Sequence, residues 1–214
     1  MKKLVYIPVN TKPEAISTSK TVAREFINRF LATNVDYELV ELDLYKEDIP
    51  ELNYKYFKSR AELVAREDYE ALSEEDKEAV DRINFLCDQF VSMDTYVIAT
   101  PMWSLMFPAR LKRYIDCVIL NNKVIKVSPN EVKGLLGYKE RKMVYIQSSG
   151  GVYPKILPGT FIRGVDYFHD IFKFLGIRKF EKILVEGVDM SSVGKNEAMK
   201  KAFDDIDKVI SKLS

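Results

Sequence analysis

The chain has 214 residues, 47% hydrophobic and 12% aromatic, enough apolar surface for one α/β domain spanning 1–214 with a substantial core. Its 33 basic residues nearly balance 32 acidic ones, so a net charge of +1 offers no field to recruit nucleic acid or an anionic membrane. No run reaches the apolar length of a membrane span, and Pro8, Asn10 and Lys12 cut the opening Met1 to Ile7 stretch too early for a signal peptide; the expectation is a cytoplasmic protein.

Lys3 to Val9 is the first of five short runs rich in Val, Ile and Tyr, each of which reads as a strand. It opens into the loop Asn10 to Ser19 and a helical pattern in which Val22, Phe26 and Phe30 share a face. Tyr37 to Leu44 is the second strand. A charged insertion at about 50–72 follows, carrying Tyr54, Tyr56 and Tyr69, and Ser73 with Asp76 gives an N-cap signal for a helix with Val80, Ile83, Cys87 and Phe90 on one face. Thr95 to Thr100 is the third strand, followed from about Phe107 by a helix presenting Leu111, Tyr114, Ile115 and Val118.

A second insertion at about 120–138 holds Asn121, Asn122, Pro129, Gly134 and Gly137 and reads as a long loop, the kind that serves as a lid or partner-binding segment. Lys142 to Gln147 and Phe180 to Val188 complete the strands. The last helix stripes Met199, Ala202, Phe203, Ile206, Val209, Ile210 and Leu213 against Lys and Asp. Strands alternating with helices predict a five-stranded parallel sheet with helices on both faces. Cys87 and Cys117 fall inside apolar helical patterns without zinc or disulfide spacing and read as buried free thiols in a reducing compartment.

In an open parallel sheet the ligand site lies beyond the strand carboxyl ends, so the loops there carry the chemistry. After the first strand, Ser17, Thr18 and Ser19 put three hydroxyls at a helix start, where free amides and the positive dipole end suit a phosphate. The plainer reading makes Ser17 an ordinary N-cap. After the third strand, Pro101, Met102, Trp103, Ser104 and Leu105 expose the only tryptophan as a wall for a flat ring. After the fourth, Ser148, Ser149, Gly150 and Gly151 let a ligand approach the backbone. Neither a Walker lysine motif nor a Rossmann glycine fingerprint is present. A phosphorylated, flat heteroaromatic cofactor fits all three loops, and flavin mononucleotide (FMN) is the candidate.

Those same segments resemble the FMN-dependent NADH-azoreductases, flavodoxin-like quinone and azo-compound reductases. The matches are Ser17-Thr18-Ser19, then Pro101-Met102-Trp103-Ser104-Leu105, then Pro108 to Asp116 and Ser148-Ser149-Gly150-Gly151. The resemblance implies a flavodoxin-like fold, with the serine motif on the FMN phosphate, the tryptophan motif on the isoalloxazine and ribityl chain, and the glycine motif beside the ring. Tyr153 and Phe174 follow by resemblance as substrate contacts. The chain departs from the family in having Val9 and Asn10 where a serine is common, Ser149 in place of an arginine, and Leu120 to Ile125 in place of an Arg-Ala-Gly-x-x-Phe segment.

The activity implied is a ping-pong cycle in which NADH or NADPH reduces FMN and leaves before a quinone or aromatic azo compound enters. The chemistry is borne by the flavin, so no side chain is assigned a catalytic role and no metal is expected. Family members are dimers, which implies a homodimer here. A flavodoxin-type FMN electron carrier is the alternative, although such carriers are commonly strongly acidic. His169, the only histidine, lacks a metal-ligand set and reads as structural or superficial.

Overall fold

The computed structural model describes residues 1–153 and 163–213. Five strands form one sheet: β1 (Lys2–Pro8), β2 (Tyr37–Glu41), β3 (Thr95–Pro101), β4 (Lys142–Ser149) and β5 (Lys179–Glu186), all parallel in the order β2-β1-β3-β4-β5. The helices that follow the strands are α1 (Thr18–Thr33), α2 (Glu74–Ser92), α3 (Ala109–Val118), α4 (Arg163–Leu175) and α5 (Gly194–Leu213). The five expected strands are all found, each within a few residues of its predicted bounds.

Period-two alternation in the strands splits the core into two layers. Val5, Ile7, Tyr96, Ile98, Met143 and Tyr145 face α2, α3 and α4 and pack on Val80, Ile83, Leu111, Phe168 and Phe172. Leu4, Tyr6, Val97, Ala99, Val144 and Ile146 face α1 and α5, meeting Val22, Phe26, Ile206 and Leu213. Because both faces are covered, β1, β3 and β4 read as nearly unbroken apolar runs. Each fully buried Ile or Leu contributes about 1.5–3 kcal/mol, which holds the helices to the sheet more firmly than helix propensity does. No helix among the described residues is long and apolar enough to cross a membrane.

Both insertions have structure of their own. The first folds as a hairpin, Phe57–Ser59 against Glu62–Leu63, and a single helical turn, Glu67–Glu70. Asp76 ties it to the start of α2: its carboxylate accepts from the Tyr56 hydroxyl at 3.1 Å and the Ser73 hydroxyl at 2.7 Å and pairs with Lys55 at 2.6 Å. The predicted cap is present too, with the Asp76 amide donating to Ser73 Oγ at 3.3 Å.

The second insertion is not the long loop its composition suggests. Ile125–Val127 and Val132–Gly134 pair as an antiparallel hairpin, followed by a 3₁₀ turn at Leu136–Tyr138. Since α3 runs back across the sheet, this segment begins at the strand amino ends. It packs there against the end of α4, so closely that a Cβ on Gly134 would lie 2.1 Å from the Phe174 carbonyl oxygen. Arg141, 1% exposed, fastens the same edge through the carbonyls of Leu136 at 2.6 Å, Val91 at 2.8 Å and Met93 at 3.1 Å. The segment is therefore anchored at the end of the sheet opposite the strand-end loops.

Candidate flavin site

Beyond β1, the Asn10 carboxamide accepts the Lys12 amide at 2.9 Å and turns the chain toward a short 3₁₀ segment, Glu14–Ile16. Ser17 is the N-cap of α1, but its hydroxyl makes no capping bond. Both Ser17 Oγ and Ser19 Oγ are buried with no hydrogen-bond partner. A buried hydroxyl left in that condition costs about 1–3 kcal/mol, a cost expected where a ligand supplies the missing partner. Arg24 holds the loop in place by a two-pronged pair with Glu14, at 2.9 and 3.0 Å, and by Glu41 at the end of β2, at 2.7 Å.

The loop after β3 is a tight turn in which Trp103 and Met106 exchange amide-to-carbonyl bonds, both 2.9 Å. Its two central residues, Ser104 at φ 50° and Leu105 at φ 64°, are both left-handed, which a two-residue reversal of this hand requires. Holding side-chain-bearing residues there stores strain of about 1–3 kcal/mol each. The turn's product is a tryptophan that is 48% exposed at the end of the sheet.

The glycine loop after β4 is bound along its length to the loop after β5. Val188 N–H donates to Ser149 O at 3.2 Å, Asp189 N–H to Gly150 O at 3.1 Å, and Gly187 N–H to Gly151 O at 3.1 Å. A Cβ on Gly150 would sit 2.5 Å from Asp189 Oδ2, whereas one on Gly151 would make only ordinary contact with the Tyr153 ring at 3.7 Å. Ser149, which stands where the family's arginine would be, donates its hydroxyl to the Gly151 carbonyl at 2.9 Å.

These loops converge on one cavity of about 440 Å³. Eight of the predicted site residues line it: Ser17, Thr18, Pro101, Met102, Trp103, Ser148, Ser149 and Gly150. Ser19, Ser104, Leu105 and Gly151 are not among the lining residues. Tyr153 flanks Gly151. Phe174 does not join them: it lies in the last turn of α4, at the amino-end edge beside Gly134.

Sequence reasoning missed Thr11, Lys12 and Ile16, and the whole contribution of the last loop, Val188, Asp189 and Lys195. Applying the strand-end rule to β5 as well as to β1, β3 and β4 would have found the latter three. His169 sits on the surface of α4, its ring edge-on to Phe180 at 5.4 Å and Nδ1 3.1 Å from Asp170.

Residues 2–210 match the family described as having a flavodoxin-like fold. The chain is 56% identical over 213 residues to FMN-dependent NADH:quinone oxidoreductase 1 of Clostridium acetobutylicum, covering 100% of this chain and 96% of that one. It belongs to the FMN-dependent NADH:quinone oxidoreductase and azoreductase family. Among solved structures, an azoreductase from Bacillus anthracis strain Sterne superposes with a TM-score of 0.82 at 25% identity, over 99% of this chain and 100% of that one. An FMN-dependent NADH-azoreductase from Bacillus anthracis strain Ames Ancestor, solved with FMN, has the same fold, with a TM-score of 0.84 at 22% identity and 99% coverage of both chains.

Proposed function

We propose that this chain reduces quinones and aromatic azo compounds with electrons from NADH, using FMN bound in the 440 Å³ cavity. The observation that carries this reading is the convergence, on one cavity, of unpartnered buried hydroxyl, exposed indole and close-approach glycine from three separate loops. The residues fit the cofactor by chemistry: Ser17 and the start of α1 suit its phosphate, Trp103 its ring face, and the backbone of Ser148 to Gly150 its polar ring edge.

When bound, FMN supplies hydride acceptance from the nicotinamide and delivery of electrons to the acceptor. The chain's own part is to bind and orient. Ser17 and Thr18 would hold the phosphate end, Trp103 would offer its indole face to the ring, and the glycine loop would present fixed backbone dipoles to the ring's polar edge. The half-exposed Trp103 leaves room at the mouth for donor and acceptor in turn. The cycle is ping-pong, donor and acceptor using the one cavity in turn.

The whole chain works as one domain and pairs with a second copy through α3 and α4. Its compartment is the cytoplasm, a reading supported by two free, buried thiols.

The test is direct. Purified protein reconstituted with FMN is yellow, bleaches on anaerobic addition of NADH, and regains colour with a quinone; double-reciprocal plots at several quinone concentrations are parallel. Converging lines overturn the ping-pong assignment, and a yellow protein inert to NADH points to an electron carrier instead.

A further inference from the structure

We propose that Lys195, at the start of α5, is the cationic partner of the phosphate site, on the strength of lining the same cavity as the unpartnered Ser17 hydroxyl. This rests on the FMN reading of that cavity and adds to it a residue that lies outside the three loop motifs.

A phosphate monoester near pH 7 carries about −1.5 to −2 charges, and the hydroxyls of Ser17 and Thr18 are neutral. Three charged side chains line the cavity: Lys12, Lys195 and Asp189. Lys12 also borders a second, larger cavity of about 710 Å³ beside Lys20, Arg24, Glu41 and Asp43, where charges of both signs already oppose one another. Lys12 itself pairs with none of them, but it is shared between the two cavities, whereas Lys195 borders only the first of the two. Among the described residues no carboxylate lies within ion-pair distance of it, Asp189 included.

Its position in the helix supplies the physical argument. A lysine in the first turn of a helix sits at the positive end of the dipole and is repelled by it, by about 0.3–1 kcal/mol. An anion in front of that turn reverses the sign, because dipole and ammonium then act together on it. Gly194, at φ 76° with nothing within 4 Å of where a Cβ would stand, opens the helix beside the cavity. The starts of α1 and α5 thus both border the one cavity, through Ser17, Thr18 and Lys195, and the buried, unpartnered Ser17 Oγ is the independent sign that a polar ligand group belongs there.

Comparing two ligands that differ only by the phosphate isolates this contact. The apo forms of the wild type and of Lys195→Ala are titrated with FMN and with riboflavin, following flavin fluorescence. The expected result is a Kd for FMN raised about tenfold in Lys195→Ala, the size of one charge-assisted contact at a half-open site, with riboflavin binding unchanged. Lys195→Arg restores FMN affinity, and the salt dependence of FMN binding is shallower in the alanine variant.

An equal loss for both flavins makes Lys195 a merely structural residue and overturns the proposal, as does unchanged FMN affinity. If the wild type binds neither flavin, the FMN reading itself falls and this inference falls with it.

Discussion

The Met102 amide donates to the Ser148 carbonyl at 2.7 Å, joining the tryptophan loop to the glycine loop where the β3–β4 ladder ends. Pro101 shares the parity of Ala99, whose carbonyl accepts from the Val9 amide, so its missing N–H falls on the β1 side and leaves the Met102 bond to β4 intact, with Trp103 just past it. The wall and the floor of the cavity are thus parts of one rigid edge. Ser104 and Leu105 reverse the chain immediately afterwards.

Trp103→Ala should weaken FMN binding by about 1–3 kcal/mol through lost ring contact and burial, and the remaining complex should quench flavin fluorescence less. Because the indole is half-exposed in the apo chain, the apo melting temperature should stay where it is. Fluorescence titration and a thermal melt check the pair; a large drop in apo stability would make Trp103 a packing residue.

Ser17→Ala separates a cap from a ligand contact. An N-cap serine that bonds its helix loses about 0.5–2 kcal/mol on replacement by alanine, but Ser17 makes no such bond and its hydroxyl is buried without a partner. Chemical denaturation of the apo protein should therefore show no loss of stability, while FMN affinity falls. A destabilised apo protein would favour the N-cap reading.

Gly134→Ala should be strongly destabilising, by roughly 3 kcal/mol or more, since the added methyl meets backbone of Phe174 and Leu175 that has nowhere to move. Gly151→Ala, with only ordinary contact to the Tyr153 ring, should be nearly silent in the same urea titration.

Asp94 makes stability depend on acid pH. Burial alone would push its carboxyl up, but Lys139 at 2.7 Å and the Lys3 amide at 2.8 Å outweigh it and hold the group below the ordinary carboxylate range. A carboxylate lowered in the folded state contributes stability that is fully present above its unfolded pKa of about 3.9 and disappears as pH falls through the lower folded value. Denaturation midpoints measured downward from pH 6 should fall more steeply for the wild type than for Asp94→Asn, with the two curves converging at the acid end.

Cys87 and Cys117 should resist thiol reagents in the folded protein. Each is buried and donates to a carbonyl, of Val118 at 3.2 Å and Pro50 at 3.4 Å, and burial pushes both thiols up to about 12. At pH 8 almost no thiolate is available, so colour from a disulfide reagent should appear only on unfolding.

The sheet, its helices and eight residues lining the candidate cavity were legible in short stretches of sequence. Val-, Ile- and Tyr-rich runs with buried faces, such as Thr95 to Thr100, have one low-energy use between helices of 3.6-residue periodicity, and the site motifs follow at the strand ends. Local chemistry was enough there because secondary structure and turn preference act over a few residues. The remainder rests on contacts between segments far apart in the chain. Residues 120–138 became an anchored hairpin because Gly134 meets the end of α4 and Arg141 finds three carbonyls; Phe174 was carried to the wrong edge because the helix runs antiparallel to the strands. Lys195 reached the cavity only because the loop after β5 is hydrogen-bonded to the glycine loop after β4.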